Sequence, residues 1–388
     1  MSKFQSINMA KLRSGNGVKW GDNDDQTLCA WVADMDFGVP EPVKAAMQSL
    51  VENEDFGYPR WPDGDPVINA FEYRMKQHFD WTPIPDRTKV LSDLIQILQI
   101  TIELTTQPGD AIALHLPCYP PFLNCVSQSG RKIIPLELKM VDGYWKYDHS
   151  KLLETLRQNN VKLMLLINPQ NPTGRVFTKS ELTQIADACK IIDIPIFSDE
   201  IHSDLLFDNN VHTPIASLSE DAAARTITTT SATKSFNIAG TRCAVVHFGH
   251  EETFNKFNKF PTDFFGAPNT IAKIATAVAW TECEDWFAEL MITLKHNRDL
   301  LTSWANSHDL AYVAPEGTYL GWFDLGKTRI GSEPEAQVAL LEKSKVRLGV
   351  GSDFSQFTEL DTHSWVRINL ATSTSNLEEI LKRITAQL

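Results

Sequence analysis

The chain has 388 residues, 43% of them hydrophobic and 22% charged, with a formal net charge of -13. At roughly 100 to 200 residues per domain this predicts a globular protein of about two or three domains, and the acidic balance excludes a general nucleic-acid or anionic-membrane surface. No apolar run approaches the ~20 residues of a spanning helix, and the start MSKFQSINMAKLRSG lacks the apolar core of a signal peptide, so the expected location is the cytoplasm.

Four short apolar runs are predicted as strands buried on both faces: DAIALHLP (110–117), VKLMLLINP (161–169), IPIFSDE (194–200) and CAVVHFG (243–249). Each ends in a polar, Gly or Pro signal. Between the second and third lies FTKSELTQIADACKII (177–192), which sets Leu182, Ile185, Ala186 and Cys189 on one helical face. Thr178 and Glu181 form a capping box at its start. Strand and helix therefore alternate, and the expected fold class is α/β with a mostly parallel central sheet. In such sheets the ligand sits at the carboxyl ends of the strands.

The polar terminators fall at those ends. AIALHLPCYPPF presents Tyr119 among prolines, and NPQNPTGR forces an irregular turn that aims Asn171 out of the sheet. IPIFSDEIH ends in Asp199, Glu200 and His202, and TITTTSATK ends at Lys234. Each alone has an ordinary structural role, as turn former, helix cap, core aromatic or surface cation. Together an acid, an amide, an aromatic ring and a lysine suit pyridoxal 5'-phosphate: Asp199 for the ring nitrogen, Asn171 for the ring hydroxyl, Tyr119 for stacking, Lys234 for the Schiff base. Ser231 and Arg242 supply the hydroxyl and planar fork that a phosphate favours. The six cysteines, at 29, 118, 125, 189, 243 and 283, form no C-x-x-C pair, so buried free thiols are expected and no metal site.

NPQNPTG, then Asp199 28 positions after Asn171, then SATKSFNIAGTR, resembles the aminotransferase class I/II superfamily of fold type I pyridoxal-phosphate enzymes. WVADMDFGVPEPV, FGYPRWP, SDEIH, KSFNIAG, EGTYLGWFDL and WVRINLATS resemble more narrowly the MalY/PatB-type cystathionine β-lyases, along nearly the whole chain. The resemblance implies helices on both faces of the central sheet, a large cofactor domain over 46–275, and a smaller α/β domain from 1–45 and 276–388. It makes Lys234 the α-proton base, Arg367 the grip on the substrate carboxylate, and the backbone amides of Leu94 and Ile95 in VLSDLIQIL a phosphate cradle, although the usual glycines are missing there. Tyr58 is implied to reach the neighbouring subunit's cofactor, hence a homodimer with shared active sites. Trp31, Tyr58 and Trp61 are expected in the substrate pocket. A carbon–sulfur β-lyase acting on an S-substituted L-cysteine is the expectation, since His202 stands where many aminotransferases carry tyrosine. Arg242 follows the general aminotransferase pattern, which keeps transamination as the alternative. A cofactor-binding dimer without turnover is disfavoured because Lys234, Asp199 and Arg367 are all present, and no strand precedes the G-x-G-x-x-G turn of a nicotinamide dehydrogenase.

Overall fold

A computed structural model describes residues 4–21 and 23–388. Its main sheet has seven strands: β1 (Thr88–Leu91), β2 (Ala111–Leu116), β3 (Lys132–Glu137), β4 (Val161–Ile167), β5 (Ile196–Asp199), β6 (Thr226–Thr230) and β7 (Ala244–Phe248). They lie in the order β1-β7-β6-β5-β4-β2-β3. All pairs are parallel except those of β7, which runs antiparallel to both β1 and β6. The expected α/β class with a mostly parallel sheet is what the chain forms.

Period-two alternation explains why the sheet is covered twice. In β2, Ile112, Leu114 and Leu116 enter one buried cluster with α1 (Leu94–Thr105) and α2 (Pro120–Gln128), while Ala111 and Ala113 enter another. That second cluster is closed by α3 (Leu152–Gln158) and α4 (Lys179–Ile192). Leu182, Ile185, Ala186 and Cys189 of α4 are buried against it, and the Thr178–Glu181 capping box starts the helix. All six cysteines are buried and unbridged.

A second sheet is antiparallel and joins β8 (Ala311–Tyr312), β9 (Leu320–Asp324), β10 (Gly349–Val350) and β11 (Trp365–Asn369) in the order β8-β9-β11-β10. Its core includes Leu301 of α5 (Glu284–Ser307) and Leu377, Ile380, Leu381 and Ile384 of α6 (Thr374–Thr385). Leu28–Cys29 near the amino end pairs in parallel with Val346–Arg347, and Leu28 and Ala30 share that core. The divisions read from the sequence at 45/46 and 275/276 fall inside the helices Glu41–Glu52 and Thr270–Glu282. No helix among the described residues is long and apolar enough to cross a membrane.

Candidate active site

The parallel strands deliver their carboxyl ends to one crevice. Leu116 leads to Tyr119, Ile167 to Asn171, Asp199 ends β5 itself, and Thr230 leads through Ser231 to Lys234. Because β7 runs the other way, the residues before it, Arg242 and Cys243, arrive at the same edge. The walls of the resulting cavity include Tyr119, Asn171, Asp199, His202, Lys234 and Arg242. Ser231, Leu94 and Ile95 line it as well.

Electrostatics divides the cavity. The Lys234 amine donates to the Ala33 carbonyl at 2.9 Å, and the buried Tyr319 hydroxyl donates to the same oxygen at 2.9 Å. Burial lowers the Lys234 amine below its ordinary value; Arg367 adds to this, while Asp34 and Asp199 oppose it. A lysine so placed has a larger share of the neutral amine, the form that is both nucleophile and base. Asp199 accepts from the Ile201 amide at 3.0 Å. Burial nonetheless raises its carboxyl from 3.8 to about 7, and Glu200 adds to the rise. Its charged form lacks sufficient cationic compensation, so the position favours a positively charged guest.

Glu200 points away from the cavity into a buried network. Its two oxygens take the Ser198 hydroxyl at 2.8 Å and His212 Nε2 at 3.0 Å. His202 lines the cavity, and its buried Nδ1 has no hydrogen-bond partner. Burial, with Lys234 and Arg367 nearby, pulls its ring down to about 3, so the imidazole is neutral.

Arg367, in β11, reaches the large sheet. Its guanidinium donates to Asn171 Oδ1 at 3.0 Å and to the Trp31 carbonyl at 2.8 Å, and it lies over the Phe354 ring. Its Nε is buried without a partner. Opposite Arg367 in the register stands Gly349, where a Cβ would come within 3.1 Å of the arginine's own Cβ. An orphaned guanidinium nitrogen beside the cavity is a ready donor for a carboxylate.

The expected phosphate end carries a carboxylate of the chain's own. Helix α1 does open there, but Asp93 caps it: Asp93 Oδ1 accepts from Ile95 N at 2.6 Å, so that amide is not free for another anion. The Ser231 hydroxyl stands 2.6 Å from the Cys243 carbonyl and 2.9 Å from the Thr233 hydroxyl. A carbonyl only accepts, so the serine proton goes to Cys243 and the threonine donates to Ser231. Arg242 pairs with Asp93 at 2.7 Å. Tyr58 is wholly exposed and Trp61 half-buried, and neither lines the cavity within this chain. Trp31 contributes through its carbonyl, with the Arg347 guanidinium 4.0 Å over its ring. Sequence reasoning missed Asp93, Ala33 and Phe354. A D-L-I step at a strand-to-helix turn is a cap signal that points to the first; the other two act through backbone or distant packing and leave no local mark.

The residues fit the expected cofactor on three counts of this structure: a buried acid short of a cation, a lysine biased to neutrality, and unpartnered buried nitrogens on His202 and Arg367. Among known families, the model of "Aminotransferase class I and II" matches residues 33–384. The chain is 32% identical over 380 residues to a cystathionine β-lyase of Corynebacterium glutamicum, covering 98% of this chain and 99% of that protein. It is 29% identical to the cystathionine β-lyase PatB of Bacillus subtilis, with 96% of each covered. Cystalysin from Treponema denticola, a solved structure that contains pyridoxal 5'-phosphate, superposes with a TM-score of 0.90 at 26% identity over 100% of this chain and 98% of that one.

Proposed function

We infer from the chain's membership of the aminotransferase class I and II family, and of its fold type I pyridoxal-phosphate superfamily, that it is a carbon–sulfur β-lyase using pyridoxal 5'-phosphate. The proposed substrates are L-cystathionine or related S-substituted L-cysteines, and the products thiol, pyruvate and ammonia. The observation that carries this reading is the convergence of Lys234, Asp199 and Asn171 on one crevice, with Arg367 hydrogen-bonded to Asn171, in a chain that matches cystathionine β-lyases from end to end.

When bound, pyridoxal phosphate supplies an electron sink for charge left at the substrate α-carbon. Asp199 would hold the ring nitrogen, Asn171 the ring hydroxyl, Tyr119 the ring face, Arg242 the phosphate, and Lys234 the carbonyl carbon. Arg367 binds the α-carboxylate through its planar fork and fixes which bond at the α-carbon faces Lys234. The amine of Lys234 takes the α-proton, and the thiolate departs from the β-carbon. The proposed assembly is a homodimer in which the exposed Tyr58 serves the second copy's site.

Transamination is the second reading, carried by Arg242. Pyruvate release from L-cystathionine by the cofactor-loaded protein, with no oxo acid present, separates the two. Sustained release establishes β-elimination. No pyruvate release, followed by turnover once 2-oxoglutarate and a panel of amino acids are added, overturns it.

A further inference from the structure

The phosphate end of the cavity already holds an anion of the chain's own. Asp93 Oδ1 accepts from Ile95 N at 2.6 Å and Gln96 N at 3.4 Å, while Oδ2 lies 2.7 Å from the Arg242 guanidinium. A helix start and a guanidinium are the two groups a phosphate would use at this edge. One carboxylate holds both. Ser231, the third candidate donor, has given its proton to the Cys243 carbonyl. The Asp93–Arg242 pair is also loose: the arginine side chain is 63% exposed and the aspartate 20%. Ion pairs open to water are weak, so this one can be exchanged for a better partner.

We propose that Asp93 is the resident counter-anion of the phosphate end. It occupies the Ile95 amide and Arg242 in the cofactor-free protein, surrenders Arg242 to the incoming phosphate, and by its remaining charge lowers the affinity for the phosphorylated cofactor. The inference rests on the reading of this cavity as a pyridoxal-phosphate site and names what sets the cofactor's hold there. A carboxylate beside a phosphate dianion is a like-charge contact that screening reduces at so open an edge, so relief of it is worth roughly tenfold in affinity.

The test is titration of the cofactor-free protein with pyridoxal phosphate and, separately, with pyridoxal, followed by visible absorbance and equilibrium dialysis. Asp93→Asn and Asp93→Ser both keep a side chain able to cap α1. Each should tighten pyridoxal phosphate by about tenfold and leave pyridoxal, which has no phosphate, within about twofold of the unsubstituted protein. Arg242→Gln should weaken pyridoxal phosphate, and by less when Asp93 is present than in the Asp93→Asn background, because Asp93 competes with the phosphate for the guanidinium. Unchanged or weaker binding of pyridoxal phosphate by both Asp93 variants overturns the proposal, as does equal tightening of pyridoxal. If the unsubstituted protein itself binds neither compound, the cofactor reading falls and this inference with it.

Discussion

Arg367 Nη1 donates to Asn171 Oδ1 at 3.0 Å, joining the middle of the small sheet to the turn that follows β4 of the large one. The two residues stand 196 positions apart, and each would serve a different part of the bound reactants, the α-carboxylate and the ring hydroxyl. Substrate grip and cofactor orientation would thus be mechanically linked. Arg367→Ala should lower kcat/KM on an S-substituted cysteine by about 100-fold or more, chiefly through KM, because a charge-assisted fork is lost. Asn171→Ala leaves one guanidinium N–H without its acceptor and should raise KM as well as displace the cofactor's visible absorbance. A KM unchanged in Asn171→Ala, by steady-state kinetics, would show the two functions to be independent.

Lys234 is held by the Ala33 carbonyl rather than by a carboxylate, so no ion pair fixes it as a cation. Lys234→Ala should retain the cofactor through the remaining contacts but fall in turnover by about a thousandfold or more, the loss expected of a missing nucleophile and general base. Borohydride treatment followed by mass measurement checks the covalent role: the unsubstituted protein should gain a fixed cofactor mass and the variant none.

The placement of these residues is legible in the sequence because α/β topology gathers strand ends, which assigns Tyr119, Asn171, Asp199 and Lys234 to one crevice without any knowledge of their distances. Strand direction is less so. The run of β7 reads like its parallel neighbours, since burial on both faces leaves the same apolar pattern either way. The Leu28–Val346 pairing spans almost the whole chain and has no local signature. Asp93 hides behind the amides it caps, because a helix start reads as an anion site whether or not the chain fills it itself. Tyr58 and Trp61 belong to the pocket by resemblance only, and within one chain they stand outside it.

Gly174 closes the turn that carries Asn171. It sits at a φ of +69°, and a Cβ there would come within 2.3 Å of Pro315 Cβ and 2.9 Å of the Gly317 carbonyl. Its own carbonyl accepts from the Glu316 and Gly317 amides at 2.9 and 2.8 Å, which ties the turn to the segment before β9. Gly174→Ala meets both a disfavoured backbone region and a steric block, and should cost about 2 kcal/mol or more of stability. Urea unfolding of the cofactor-free protein measures it; a midpoint equal to the unsubstituted protein's would mean the turn can shift without loss.

Asp199 gives the stability a pH dependence of defined sign. A carboxyl raised from 3.8 to about 7 on folding binds its proton more tightly in the folded chain. Its contribution is therefore complete below about pH 4 and is lost as the pH rises through about 7, each tenfold difference in proton affinity between the folded and unfolded chain being worth about 1.4 kcal/mol. Asp199→Asn cannot ionise, so in cofactor-free protein the melting temperature of the variant minus that of the unsubstituted chain should grow from pH 5 to pH 8. Buried His115, His202 and His247, pulled to about 3, 3 and 4, act the other way, since stability from a neutral histidine is lost as the pH falls. They are common to both proteins and cancel in the difference. Adding pyridoxal phosphate, whose ring nitrogen can bring a positive charge to Asp199, should shrink the gap at pH 8 by stabilising the unsubstituted protein more. A difference that stays flat from pH 5 to pH 8 would mean Asp199 remains ionised in the empty site.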